Sequence, residues 1–311
     1  MPRQSIFLPY LRMMKRYYGL LLLFVALVSG CGGCDKSEPY SGDPNPLYDL
    51  HKVYGRVKTL KTEYFSPMVK DGKTVPGSSV GDNITFDSIN AQGQLILSKI
   101  YTLDGQLKTY DVFTYNPEGE IIAIETYTGT GILSSHQEVY FNGDGKKAKQ
   151  VVTLTTNDGE KSYWRSWVYN DKGQLVESYV YGVDSTVASR ETLTYYEGDS
   201  GKLHVHSLYV GRDTLKYINE YVYDSNGNDS ILYRHRPNAT GDSVTYQSRY
   251  EYTFDDKGNE LTRNLLNPEG IVRARSRYEY VFDDHGNWIQ RIDIVDDEAN
   301  VVKVRTFTYY D

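Results

Sequence analysis

A turn glycine that returns about every 28 residues constrains this chain more than any other feature. Gly119, Gly145, Gly173, Gly201, Gly227, Gly258 and Gly286 are separated by 26, 28, 28, 26, 31 and 28 residues. Four positions before the glycine stands Tyr115, Phe141, Tyr169, Tyr223, Phe254 or Phe282, and six before it Phe113, Val139, Trp167, Tyr221, Tyr252 or Tyr280. Alternate positions of an extended strand share one face, so these rings line one side of a strand that then reverses. The position between ring and glycine, Asn116, Asn142, Asn170, Asp224, Asp255 or Asp283, starts a turn through side-chain bonds to backbone amides, and the glycine takes the left-handed conformation that closes it. Each copy is therefore a β-hairpin, with Tyr278 to Ile294 the clearest and Gly201 the irregular one, its Tyr195-Tyr196 pair displaced.

A second set of turns near Gly129, Gly159, Gly182, Gly211, Gly241 and Gly270 gives two strands per period, or roughly eighteen strands. The fold class this predicts is all-β, an antiparallel meander of repeated hairpins over residues 48–311. An open twisted sheet rarely exceeds about ten strands, so this one should curl into a spiral or flattened barrel, or fold into two layers, with the Tyr-rich face inside. Val53 to Tyr64 reads as a first strand, and the Pro, Gly and Ser residues from there to Asn83 as irregular chain.

Tyrosine is the compositional outlier, with 30 Tyr against 9 Phe and 4 Met, which suits half-buried sheet faces better than an oily core. The net charge is −7, and because the first thirty residues hold four basic side chains and no acid, the remainder carries −11. Such a balance argues against nucleic acid as a partner. Arg273, Arg275 and Arg277 align on one strand face, read here as a solvated outer surface.

At the N-terminus, Lys15-Arg16 precede an apolar run, Leu20 to Leu27, too short to span a bilayer and flanked like a secretory signal. The ending Val28-Ser29-Gly30-Cys31 resembles the lipobox of bacterial lipoprotein signal peptides. That resemblance implies a signal over residues 1–30, lipid on Cys31, and a Gly- and Pro-rich tether over residues 31–47. It also implies residence at the outer membrane, on the cell-surface or periplasmic side. The other cysteine, Cys34, makes C-x-x-C with Cys31 but lacks the partner pair of a metal site.

The pattern Tyr221-Val222-Tyr223-Asp224-x-x-Gly227 is similar to the YD repeat of Rhs-type proteins over about residues 84–311, as is the apolar residue two after many glycines, at Leu95, Leu107, Ile121, Leu175, Leu203 and Trp288. Long members coil their hairpins into a shell that encloses a toxin. With far fewer repeats and no further domain expected after its last strand, this chain looks like the short, lipid-anchored members, for which the resemblance implies an architecture rather than an activity.

Catalytic motifs are weak throughout. Gly198-Asp199-Ser200-Gly201 copies the tetrapeptide around a serine-protease nucleophile, but it falls on a repeat turn and no histidine has that family's setting. His204 and His206, two apart, should share an outward face, and the doublets Asp255-Asp256 and Asp283-Asp284 belong to turns rather than calcium loops. No metal or organic cofactor is expected. Five triplets resemble an O-glycosylation sequon of Gram-negative envelope proteins: Asp87-Ser88-Ile89, Asp184-Ser185-Thr186, Asp213-Thr214-Leu215, Asp229-Ser230-Ile231 and Asp242-Ser243-Val244. A turn feeding a strand yields the same order. A membrane-spanning barrel is disfavoured because Arg165, Asn219, Ser248 and Gln290 would stand on the Tyr face.

The expected function is a non-catalytic binding or scaffolding lipoprotein. Its partners would be a glycan or an envelope protein met by exposed aromatics, Tyr163, Trp164, Trp167 and Trp288, with the membrane reached through the lipid alone. The alternative is a hydrolase whose carboxylates or histidines are assembled across strands.

Overall fold

The computed structural model describes residues 53–311 apart from 82, 199–200, 226, 228 and 239–242. The lipobox with Cys31 and Cys34, the signal, the tether, Asp199, Ser200, Gly241 and Asp242 lie outside the described residues. Gly55–Asp311 is one compact unit built of strands.

The chain runs through β1 (Val57–Lys70), β2 (Lys73–Ser79), β3 (Ile84–Ile89), β4 (Leu95–Tyr101), β5 (Leu107–Tyr115) and β6 (Ile121–Thr128). It continues with β7 (Leu133–Phe141), β8 (Lys147–Thr156), β9 (Gly159–Tyr169), β10 (Leu175–Tyr181), β11 (Val187–Tyr195) and β12 (Leu203–Val210). The last are β13 (Thr214–Tyr223), β14 (Asp229–Pro237), β15 (Val244–Phe254), β16 (Glu260–Leu266), β17 (Val272–Phe282), β18 (Trp288–Val295) and β19 (Glu298–Tyr309). From β3 onward every strand pairs antiparallel with the next, and β1 joins β3 on one side to β19 on the other, closing an 18-stranded barrel. The expected meander is thus a closed barrel. Closure satisfies both edges of the sheet.

One expectation is corrected. The Pro/Gly/Ser stretch after Tyr64 is not irregular: β1 runs on to Lys70 and forms a hairpin with β2 through pairs such as Met68 with Val75. Pro76 is tolerated there because a hairpin extending from the barrel leaves an outer edge that needs no ladder donor.

The turns follow the predicted chemistry. In the turn after β17 the Asp283 amide donates to Asn287 O at 2.9 Å and the Gly286 amide to Asp283 O at 3.0 Å, while Asp283 Oδ1 accepts the His285 and Asn287 amides at 3.0 and 2.8 Å. Asn90, Asn142, Asn170 and Asp255 repeat that arrangement, and even the irregular Gly201 is left-handed, at φ 61°. Asp184 likewise accepts the Thr186 amide at 3.0 Å, so this triplet is a turn in its own right.

Two residues after the glycine, the register shifts by a β-bulge that sends the apolar residue inward: Leu95, Ile121 and Trp288 are buried. The repeated tyrosine explains itself at the same place. Tyr115, Tyr169, Tyr195 and Tyr280 donate their hydroxyls to Leu95 O, Lys147 O, Leu175 O and Glu260 O at 2.7–3.0 Å, each in the hairpin before its own. The bulge interrupts the ladder at that carbonyl, and the hydroxyl supplies a donor worth about 1 kcal/mol. Tyr310 donates across the closure to Ile89 O at 2.7 Å, at the end of the strand that enters the turn rather than the start of the one that leaves it.

Candidate functional site

Register around the barrel sorts the side chains into two walls. Leu60 stands opposite Asp87, then Ser98, Asp111, Thr126 and Ser135 follow on successive strands, all on the inner wall. Farther round, Leu193, His206, Asn219, Arg234 and Ser248 are in register. The rings at the repeat positions lie inside as expected, but other tyrosines do not: Tyr110 and Tyr127 stack on the outer wall, where Tyr179, Tyr181, Tyr233 and Tyr246 also stand. Tyr221, Tyr250, Tyr252, Tyr278 and Tyr280 face inward, several with a guanidinium over them: Arg234 above Tyr250, Arg263 above Tyr252 and Arg291 above Tyr278, at 5.8, 5.6 and 5.1 Å. Along β17 the inward Ala274, Ser276, Tyr278 and Tyr280 are only half-buried while the alternate residues are exposed, so water reaches the inner wall. Eighteen strands tilted by about 40° have a circumference of about 110 Å, enough to surround an aqueous interior.

The outer wall is different in kind. It carries ion pairs at mid-strand, Arg190 with Glu177 at 2.7 Å and Arg249 with Glu251 at 2.8 Å, and His136 lies between Glu125 and Glu138. Arg273, Arg275 and Arg277 are exposed there, as read from the sequence. A lipid-facing barrel requires an apolar band about 25 Å tall, which such a wall does not provide. Of the residues weighed for that question, Arg165, Asn219 and Ser248 are on the inner wall. Gln290 is not: it pairs with Val281 and Val304 on the outer wall, because the bulge after Gly286 changes the phase of β18.

The four aromatic side chains expected to bind do not form one strip. Trp164 lies on the outer wall, stacked on Tyr181 with centroids 3.5 Å apart and with the Lys149 ammonium 5.0 Å from its ring. Tyr163 and Trp167 face inward from the same strand. Trp167 and Trp288 are buried, Trp167 beneath Arg165 and Trp288 beneath Arg305, whose guanidinium sits 3.6 Å from the ring centroid. Both buried indoles pack the wall rather than present a face to a partner.

His204 and His206 are likewise separated. The bulge between β11 and β12 skips His204, which stacks on Tyr196 and approaches Glu220 Oε1 at 3.4 Å on the outer wall, while His206 points inward. A shared outward face required an unbroken alternation that the bulge removes.

His206 joins the densest polar group of the inner wall. Arg165 Nη2 donates to Glu191 Oε2 at 2.5 Å and to Ser178 Oγ at 2.9 Å, Ser178 donates to the same Glu191 oxygen at 2.6 Å, and His206 Nε2 lies 3.8 Å from Glu191 Oε1. Burial pushes the His206 imidazole below its usual range, with Glu191 opposing and Arg165 and Arg234 adding to the fall. Serine, acid and histidine are all present, but the serine proton goes to the carboxylate rather than to the imidazole, and Ser178 is 1% exposed. No nucleophile with its base faces the interior from this group. Nothing in the sequence marked it, because its members come from four strands.

Asp87 is a further unusual carboxyl, 3% exposed and accepting Ser98 Oγ at 2.6 Å. Burial raises its pKa from 3.8 to about 6, against the lowering effects of Ser98 and Arg305 and with Asp111 adding to the rise. The folded-state value lies above the unfolded one, so protonation favours the fold: the contribution is fully present below about pH 4 and lost as pH rises through about 6. Asp87→Asn keeps an acceptor for Ser98. It is expected to flatten that slope and to raise stability at pH 7 by on the order of 1–3 kcal/mol. Denaturant titrations at pH 4.5 and 7 check this; a variant with the parent's slope would refute it.

Comparison with known proteins adds little to this geometry. No family model matches the chain, and no curated protein matches it. Among solved structures the chain is similar to a porin-like protein from Bacteroides uniformis ATCC 8492, at 10% identity over 82% of this chain and 98% of that one, TM-score 0.40. It is similar to another from Bacteroides vulgatus ATCC 8482, at 11% identity over 82% and 99%, TM-score 0.21. The TcdB2–TccC3 crystal structure matches 71% of this chain at 14% identity but only 12% of its own length, TM-score 0.34. Likenesses this slight carry no argument about what the chain does.

Proposed function

We propose that this chain is a non-catalytic, YD-repeat-type lipoprotein of a bacterial envelope, and that its inner wall, rather than an outer aromatic strip, binds a glycan or a segment of an envelope protein. The observation that carries the reading is the half-buried inner wall in which Tyr217, Tyr250 and Tyr278 alternate with hydrogen-bonding side chains. Rings offer stacking area at low entropic cost, and concave, partly apolar surfaces with a few polar groups are where ligands bind. The outer wall spends its charges on one another. Attachment through Cys31 and outer-membrane residence complete the proposal, on the lipobox resemblance.

The test combines a glycan array and an envelope pull-down on the barrel with Tyr217→Ala/Tyr250→Ala and with the outer-wall variant Trp164→Ala. Binding lost in the first and kept in the second is expected, and the reverse pattern would overturn the inner-wall assignment. Metabolic labelling with palmitate should mark the parent and Cys34→Ala but not Cys31→Ala.

A further inference from the structure

Three arginines of the inner wall have a carboxylate of their own: Arg165 has Glu191 at 2.5 Å, Arg263 has Glu260 at 2.8 Å and Arg291 has Asp293 at 2.6 Å. Arg234 has none among the described residues. Its Nε donates to Asn219 Oδ1 at 3.1 Å, and its guanidinium carbon lies 5.4 Å from the Tyr217 ring centroid and 5.8 Å from that of Tyr250. Asn219, Arg234 and Ser248 occupy one register position on β13, β14 and β15. Two ring faces offset part of the cost of holding a cation in the wall, but they carry no counter-charge. His206, held below its usual range by burial, is neutral at pH 7. With Arg165 and Glu191 cancelling, this part of the wall keeps one positive charge. Neither Nη of Arg234 bonds to a described residue, and neither is sealed from solvent. A guanidinium fixed at Nε, with both Nη atoms open, is a fork shaped for a carboxylate.

We propose that Arg234 makes the inner wall a site for an acidic sugar, the carboxylate of a uronic acid bridging its two Nη atoms. This rests on the inner-wall reading above and names the class of ligand. A peptide is the less suited source of the carboxylate. Extended peptides are bound by adding a strand to a free sheet edge, and β14 is paired on both sides. A sugar needs no edge. It is held by side-chain donors and acceptors, such as Ser248, Tyr217 and Tyr250 carry beside Arg234.

Isothermal titration calorimetry of the full chain with trigalacturonate and with its methyl ester, which has the same rings and no charge, tests this. The parent is expected to bind the acid about tenfold or more tightly than the ester, with the ratio falling as salt is raised. Arg234→Gln should bring the acid down to the ester's affinity. Arg234→Lys, which keeps the charge but not the fork, should keep only part of the preference, and Arg190→Gln on the outer wall should keep all of it. Equal binding of acid and ester by the parent would overturn the proposal without any variant having to fold, and so would a preference that survives Arg234→Gln. In either case the inner-wall reading stands if Tyr217→Ala/Tyr250→Ala abolishes binding of the ester, and falls if that variant binds like the parent. Binding of neither form would also overturn the acidic sugar, while a neutral glycan captured on the array would show that the inner-wall reading outlives it. Tighter binding of triglutamate than of trigalacturonate would overturn the sugar in favour of a peptide.

Discussion

Gly129→Ala is expected to unfold the barrel or lower its midpoint by about 10 °C or more, because the added methyl group meets backbone of the neighbouring strand. A Cβ built at Gly129 would lie 1.8 Å from Leu107 O and 2.7 Å from the Leu107 carbonyl carbon, both backbone atoms of the neighbouring strand. The Gly129 amide donates to Lys108 O at 2.8 Å, so the close approach is part of the ladder and cannot open without breaking it. The cost is steric overlap rather than conformational strain, because the left-handed residue of this turn is Gly131. Gly105→Ala and Gly145→Ala provide the contrast. Both glycines are left-handed, at φ 84° and 72°, but a Cβ there meets nothing within 4 Å. Each should cost only the left-handed penalty of about 1–2 kcal/mol. Thermal and denaturant unfolding of the three variants side by side measures the difference; comparable losses in all three would refute the overlap argument.

Arg165→Met is expected to destabilise the barrel by about 3–5 kcal/mol, and Glu191→Leu by a similar amount, because each leaves a charge on the inner wall without its ion partner. The Arg165 and Glu191 side chains are 5% and 13% exposed, so water cannot readily replace the lost contact. The double variant should recover much of the loss, since it removes both desolvation penalties and leaves apolar side chains beside Trp167. A double-mutant cycle in denaturant then gives a coupling of about 2 kcal/mol or more. Additive losses would show that the pair is not the unit that holds these strands.

What the sequence determined alone is whatever depends on neighbours a few residues apart. Hairpin turns are local: Asp283, Gly286 and Asn287 carry their own hydrogen bonds, and the alternation of Tyr278, Tyr280 and Phe282 settles their common face without reference to the rest of the chain. From there the all-β class and the inward rings of the repeat positions were legible, and so was the need for a sheet of this many strands to curl; the outward Tyr110, Tyr127, Tyr179 and Tyr181 were not. Closure was not legible, because β1 and β19 meet across some 250 residues and no local signal says which edge meets which. Nor was the wall on which a given side chain stands once a bulge intervenes. One extra residue flips everything after it, and this moved His204 and Gln290 from where strict alternation put them. The ion group of Arg165, Ser178, Glu191 and His206 and the buried Asp87 arise only when strands distant in sequence are laid in register.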